Sequence, residues 1–206
     1  MREGFPFVGG GVVAAVIFAL PGWSTLAGIA AGFAIFCLWF FRNPRREIPA
    51  DGGAVVSPGD GKVLGVETVD DQKWLGGQAR KISVFLNIID VHVNRTPIAG
   101  KILGVEYRHG KFFNASFDKA SEANEANEIC VEDDSGRRVV FRQIAGLVAR
   151  RIVCYLRPGD EVARGEIMGL IRFGSRVEIV VPPDSRIAVK AGDRVRGGSS
   201  VMAWLP

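Results

Sequence analysis

From Gly4 to Phe41 the chain carries no charged residue. A single helix of that length would reach roughly 57 Å, about twice the hydrocarbon thickness of a bilayer. Pro21-Gly22 divides the run into Phe5–Leu20 and Ser24–Phe41, each near the lower limit for a span. The run therefore reads as a helical hairpin over residues 1–43 that either crosses twice or dips in and returns. Arg2 precedes it and Arg42, Arg45 and Arg46 follow it, so the positive-inside rule puts both ends in the cytoplasm, with Trp23 and Trp39 as interface anchors. A cleaved leader is the alternative, because Ala27-Gly28-Ile29-Ala30 offers small residues for cleavage. The second apolar segment would then have no role.

Residues 44–206 read as one domain. They run in short alternating apolar stretches punctuated by glycine, and 26 glycines in 206 residues favour turns and short strands over a helical bundle. Ala54–Ser57, Gly61–Val66, Ile82–Asn87, Val139–Ile144, Val153–Leu156 and Arg176–Val181 have strand patterning. Lys119–Glu128, rich in Glu, Ala and Asn, is expected to hold a short helix or a structured loop. The fold class is mainly β, or β-rich α+β, behind an N-terminal hydrophobic helical hairpin. A formal charge of +4 is compatible with nucleic acid, an anionic lipid surface or an acidic substrate, and does not choose among them. Three widely spaced cysteines, Cys37, Cys130 and Cys154, suggest neither a disulfide framework nor a zinc site.

An internal repeat organises the C-terminal half. Arg157-Pro-Gly-Asp-Glu-Val-Ala-Arg-Gly-Glu166 returns as Lys190-Ala-Gly-Asp-Arg-Val-Arg-Gly-Gly-Ser199, with Gly159/Gly192, Asp160/Asp193, Val162/Val195 and Gly165/Gly198 in register. Such paired turns resemble the barrel-sandwich hairpins of biotinyl and lipoyl carriers. The repeat also sorts two Gly-Ser pairs. Ser199 takes the place of Glu166, so Gly198 is explained by turn geometry alone. Gly174-Ser175 lies between the copies and has no such explanation. Asp118-Lys119-Ala120 imitates the modified lysine of a carrier but lies upstream of the repeat, so a non-enzymatic membrane-tethered carrier or adaptor stands as the rival reading.

Acid-base chemistry near neutral pH has two histidines to draw on, His92 and His109. His92 ends an apolar stretch in Asp90-Val-His-Val-Asn-Arg-Thr-Pro97, whereas His109 reads as an exposed turn residue. Trp74-Leu75, beside Lys73, either dips into a headgroup layer or packs on the body.

Five stretches together resemble the short bacterial phosphatidylserine decarboxylases. They are Val56-Ser-Pro-Gly-Asp-Gly-Lys62, the Asp90–Pro97 run, Lys119-Ala-Ser-Glu122, Gln143–Cys154 and Gly169-Leu-Ile-Arg-Phe-Gly-Ser-Arg-Val177, in order and at matching spacing from about Asn43 to Leu205. The resemblance implies a proenzyme that cuts itself at Gly174-Ser175 into a β chain (1–174) and an α chain (175–206) and converts Ser175 into a pyruvoyl group. It implies decarboxylation of phosphatidylserine in the membrane, on the cytoplasmic face of a bacterial inner membrane, with no metal and no nucleic-acid partner. A homodimer is compatible with it. Asp60 matches the aspartate of an Asp-His-Ser arrangement in longer relatives, and His92 matches the first of their two histidines. The second is Arg95 here, which leaves open whether His92 serves cleavage, decarboxylation or both. Arg95, Arg172 and Arg176 are candidates for the substrate carboxylate or phosphate.

Overall fold

The computed structural model describes residues 2–113, 115, 123–147, 151–172 and 175–206. Of the described residues 41% are strand and 18% helix, and the chain divides into two units, Met1–Pro44 and Arg45–Pro206.

The first unit is a pair of helices, α1 (Phe5–Ala19) and α2 (Ser24–Phe40). Gly22 turns the chain between them with φ of +80°, a backbone state that costs a side chain but not glycine. Gly11 lets the helices approach, since a Cβ there would lie 3.0 Å from that of Ala34. Phe7 stacks on Phe41 at 5.7 Å at the open end. Val12, Val16, Ile17, Ile29, Ile35 and Leu38 point outward and are exposed. At 15 and 17 residues the helices are about 22 and 25 Å long. No helix among the described residues is long and apolar enough to cross a membrane.

The second unit is built from strands. The long ones are β2 (Gly61–Asp71), β3 (Gly77–Leu86), β5 (Gly100–Arg108), β6 (Ala126–Glu132), β7 (Arg138–Ala145) and β11 (Ser175–Val181). With the short β9 (Glu161–Val162) and β13 (Arg194–Val195) they make one antiparallel eight-stranded sheet in the order β13-β2-β3-β11-β7-β6-β5-β9, curled into a half-barrel. Two three-stranded sheets complete the unit. One orders β1 (Ala54–Val56), β14 (Val201–Trp204) and β12 (Arg186–Ile187); the other orders β4 (Val93–Arg95), β10 (Ile167–Ile171) and β8 (Ile152–Cys154). All six expected strand stretches overlap these elements. Glu128 and its neighbours do not form a helix: Ala126–Glu132 is a strand paired on both sides. The alternation Ile129, Cys130, Val131 fills both faces of the sheet and overrides the helix propensity of Ala and Glu. Residues 119–122 of that expected segment lie outside the described residues.

The duplication runs deeper than the repeated turns. Gly61-Lys-Val-Leu-Gly-Val-Glu67 and Gly100-Lys-Ile-Leu-Gly-Val-Glu106 differ at one position and open β2 and β5, each with a bulge at the same place. Gly159 N–H donates to Ile102 O at 2.8 Å and Gly192 N–H to Val63 O at 2.9 Å. Gly165 and Gly198 have φ of +75° and +79°, and their N–H groups donate to Thr96 O and Ser57 O. The unit thus consists of two related halves. An approximate twofold axis between β11 and β7 exchanges β2 with β5, β3 with β6, β13 with β9 and the two small sheets. The register equates Val55 with Asn94, because Val55 faces Ala203 next to one bulge and Asn94 faces Gly169 next to the other.

The core lies inside the curl, where Val63, Val84, Ile102, Phe141, Val177 and Ile179 are fully buried. The opposite face of the sheet is covered too. There Ala79, Cys130, Val140 and Val180 meet the β2–β3 turn through Trp74 and Leu75. Trp74 lies against Gly104, where any Cβ would collide with its ring, and its Nε1–H donates to Glu128 Oε1 at 2.7 Å. Of the two expectations for Trp74-Leu75, packing on the body is the one observed. Burial pushes the Cys130 thiol up to about 12, which leaves it protonated and inert.

Candidate active site

Ser175 opens β11, the strand at the middle of the large sheet. It sits across from Leu86, the last residue of β3, on one side and Ala145, the last residue of β7, on the other. Period-two alternation puts Ser175 on the inner face with Val177 and Ile179. The residue is 0% exposed, and its Oγ has no hydrogen-bond partner among the described residues. A buried hydroxyl without a partner is destabilising by about 1–3 kcal/mol, so stability does not account for a serine here. Gly174, the other half of the expected cleavage site, lies outside the described residues.

His92 reaches the same end of the sheet by another route. The chain leaves β3 at Leu86, beside Ser175, and turns through Asn87–Asp90, where Asn87 N–H donates to Asp90 Oδ2 at 2.8 Å. It re-enters as β4 directly after His92. Val93 faces Leu170 of β10, and β10 ends at Ile171, four positions before Ser175. The ends of β3 and β10 and the starts of β4 and β11 thus meet at one junction. His92 is buried, and its Nδ1 lies 3.0 Å from Asp90 O. A carbonyl only accepts, so Nδ1 donates to it, and a neutral ring held in this way keeps its lone pair on Nε2, as a general base requires. His109 is exposed, edge-on to Tyr107 at 5.1 Å between centroids, as its turn context suggests.

Asp60 is placed differently from a triad aspartate. Arg46 donates to both of its carboxylate oxygens, at 2.9 and 2.7 Å, and Gly197 N–H donates to Oδ1 at 2.7 Å. The carboxylate ties the chain entering the domain to the second copy of the repeated turn, and no bond joins it to His92. Arg95 points to the same region. It donates to Gly165 O at 2.8 Å, and burial together with the charge of Arg46 lowers its pKa against the opposing pull of Asp60.

The candidate arginines separate by face. Arg176 alternates away from Ser175 onto the outer face, where its guanidinium lies 2.9 Å from Glu178 Oε1 and 2.6 Å from Ser83 Oγ. Arg142 stands 3.8 Å from the other Glu178 oxygen. Arg176 and Glu178 are both fully buried, so this arginine belongs to a structural ion pair on the face opposite Ser175. Arg172, after β10, is the arginine left at the junction, with its N–H on Arg151 O at 3.2 Å. Breaking a buried pair strands the remaining charge. Arg176→Met is accordingly expected to lose about 3–5 kcal/mol of stability by urea denaturation, and Glu178→Leu added to it to restore much of that. A normal midpoint with a raised KM in the single variant would return Arg176 to the substrate.

Two buried amides at this site escaped the reading of the sequence. Asn94 and Gln143 are fully buried on the inner face, with Gln143 directly across from Val177 and donating to Asn94 Oδ1 at 2.9 Å. Comparing the two halves could have found them, because the related positions are Val55 and Val181.

A β-rich domain that buries a serine at the head of its central strand and a histidine just ahead of β4 is the arrangement to compare with known proteins. The sequence profile of phosphatidylserine decarboxylase matches residues 33–203, and the chain belongs to that family of enzymes. Similar proteins are named phosphatidylserine decarboxylase proenzyme. One from Symbiobacterium thermophilum is 46% identical, covering 100% of this chain and 95% of its own. One from Desulfotalea psychrophila is 43% identical, covering 99% and 95%, and one from Burkholderia pseudomallei is 44% identical, covering 100% and 94%. The rival reading of a non-enzymatic carrier falls with this.

Proposed function

We propose that the chain is made as a proenzyme that breaks its own Gly174-Ser175 bond, converts Ser175 into a pyruvoyl group and decarboxylates phosphatidylserine to phosphatidylethanolamine. The observation that carries this reading is the Ser175 hydroxyl, buried at the head of the central strand without a hydrogen bond. Its oxygen attacks the preceding carbonyl, and the acyl group moves from nitrogen to oxygen. Loss of the Cα proton then expels the new ester as a carboxylate, which ends the 1–174 chain. The dehydroalanine left at 175 takes up water and releases ammonia, giving the pyruvoyl group. His92, whose Nδ1 is held on Asp90 O so that the neutral ring keeps its lone pair on Nε2, is the base for the Cα proton. The orphaned hydroxyl, buried on the inner face with Val177 and Ile179, fits such a group. When formed, the group supplies a sink for the electrons released with carbon dioxide.

His92 returns a proton to the product carbon, and Arg172 at the junction offers its fork to the substrate phosphate or carboxylate. Asp60 contributes by holding Arg46 and the Gly197 turn. Exposed Ile88, Ile89 and Leu147 follow Leu86 and Ala145 by two or three residues, an apolar rim suited to a substrate confined to a bilayer. In this reading the N-terminal hairpin lies in the apolar layer as a re-entrant anchor, and the flanking arginines keep the body on the cytoplasmic face of the inner membrane. Intact-mass spectrometry of the purified protein tests the proposal. Two chains are expected, the smaller beginning at position 175 without a free amine; a single unmodified chain would overturn it.

A further inference from the structure

Arg45–Pro49, where the chain enters the second unit, is a strap pinned at two points. Arg46 Nη2 donates to both oxygens of Asp60 at 2.9 and 2.7 Å, and Arg164 Nη2 donates to Pro49 O at 2.6 Å. Between the pins Ile48 rests on both copies of the repeated turn. A Cβ on Gly165 would collide with its side chain, and one on Gly198 would lie 3.2 Å from its Cδ1.

A cavity of about 630 Å³ is walled by Arg45, Arg46, Glu47, Ile48 and Pro49 of the strap and by Arg196 of the second turn, room enough for a small polar ligand. Its lining includes neither Ser175 nor His92. The guanidinium groups of Arg45 and Arg196 have no acceptor among the described residues. The Arg46 side chain is only 9% exposed, yet it meets Asp60 through one nitrogen, and its buried Nε has no acceptor among the described residues. Arg95 crowds in as well: a Cβ on Gly198 would lie 2.9 Å from its Cδ, and burial and the Arg46 charge lower its pKa. Against these four cations stand Asp60, already engaged, and Glu47. The turn itself does not require the charge. Arg196 takes the place of Ala163 in the first copy, and both turns close alike, Glu166 N–H on Ala163 O at 3.2 Å and Ser199 N–H on Arg196 O at 3.1 Å.

We propose that this cavity is a phosphate-binding site that takes the headgroup of an anionic phospholipid. The forks of Arg45 and Arg196 meet the phosphate oxygens, and Arg46 adds a charge fixed in place by Asp60. Chain order favours a lipid as the source, because Arg45 follows Phe41, the last residue of the uncharged run, by four positions. A zwitterionic headgroup would bring a second cation among the arginines and should bind less well. Exposed charges are screened by salt, so affinity should fall as ionic strength rises. None of this depends on how Ser175 matures.

Calorimetric titration of the full-length protein in non-ionic detergent tests the proposal, with dihexanoyl phosphatidylglycerol, dihexanoyl phosphatidylcholine and inorganic phosphate as probes. Saturable binding of the phosphatidylglycerol is expected, about tenfold or more tighter than the phosphatidylcholine. Arg45→Ala and Arg196→Ala, the latter copying the first turn, should each weaken it about tenfold, with the urea midpoint of wild type. Arg45→Gln and Arg196→Gln carry the test if the alanine variants do not fold. Arg157→Ala, an exposed arginine of the first turn, should bind as wild type does. Inorganic phosphate binding as tightly as the lipid, with the same loss in the variants, would keep the phosphate site and assign it to the free ion. Absence of saturable binding by both, or a folded double variant that binds within threefold of wild type, would overturn the proposal.

Discussion

Ser175→Ala is expected to accumulate as one uncut chain with decarboxylation at background, because alanine has neither the attacking oxygen nor the leaving group for elimination. It should also be well folded. The native hydroxyl is buried without a partner, so its removal spares a desolvation cost and should raise stability by up to about 1–3 kcal/mol. A dead variant more stable than its parent is hard to explain by damage, which makes the urea midpoint as informative as the gel. Ser199→Ala is the control. Ser199 lies in the second copy of the repeated turn, where its N–H donates to Arg196 O at 3.1 Å, and it should mature at the normal rate. If Ser199→Ala is the variant that stays whole, the assignment based on the repeat is wrong.

How legible this enzyme was in its sequence depended on the range of the interaction. Local patterns transferred well. Alternation located β1, β2, β3, β7, β8 and β11, and the spacing of Gly159, Asp160, Val162 and Gly165 against their copies described turns that the structure forms with matching φ values. What sequence alone misjudged was set by partners far along the chain. Ala126–Glu128 looks helical until β5 and β7 flank it. Arg176 looks like a substrate ligand until the pleat turns it to the outer face and Glu178 meets it. Asp60 looks like a triad member until Arg46 and the Gly197 amide take its oxygens. Asn94 and Gln143 went unnoticed because an isolated amide carries no motif; they become conspicuous only when the twofold relation sets them against Val55 and Val181.

His92→Ala distinguishes the two duties that one histidine can hold here. With Nδ1 held on Asp90 O, the neutral His92 ring carries its lone pair on Nε2 and can act as a base in either duty. If it removes the Cα proton of residue 175, the variant should stall before chain separation and accumulate as proenzyme or its ester. If it only returns a proton after carbon dioxide leaves, the chains should separate normally and turnover alone should fall. General acid-base help is worth about 10²–10⁴-fold, so either defect is readily measured. A stall at the ester is recognisable because hydroxylamine then releases two fragments from an apparently whole chain. The placement of Asp60 sharpens the expectation. Among the described residues its carboxylate is engaged by Arg46 and Gly197 and not by a histidine, so the cleavage defect should be the larger one. His109→Ala, on an exposed turn, should be silent. Normal cleavage together with normal turnover in His92→Ala would remove histidine from the mechanism and pass proton transfer to water held at the junction.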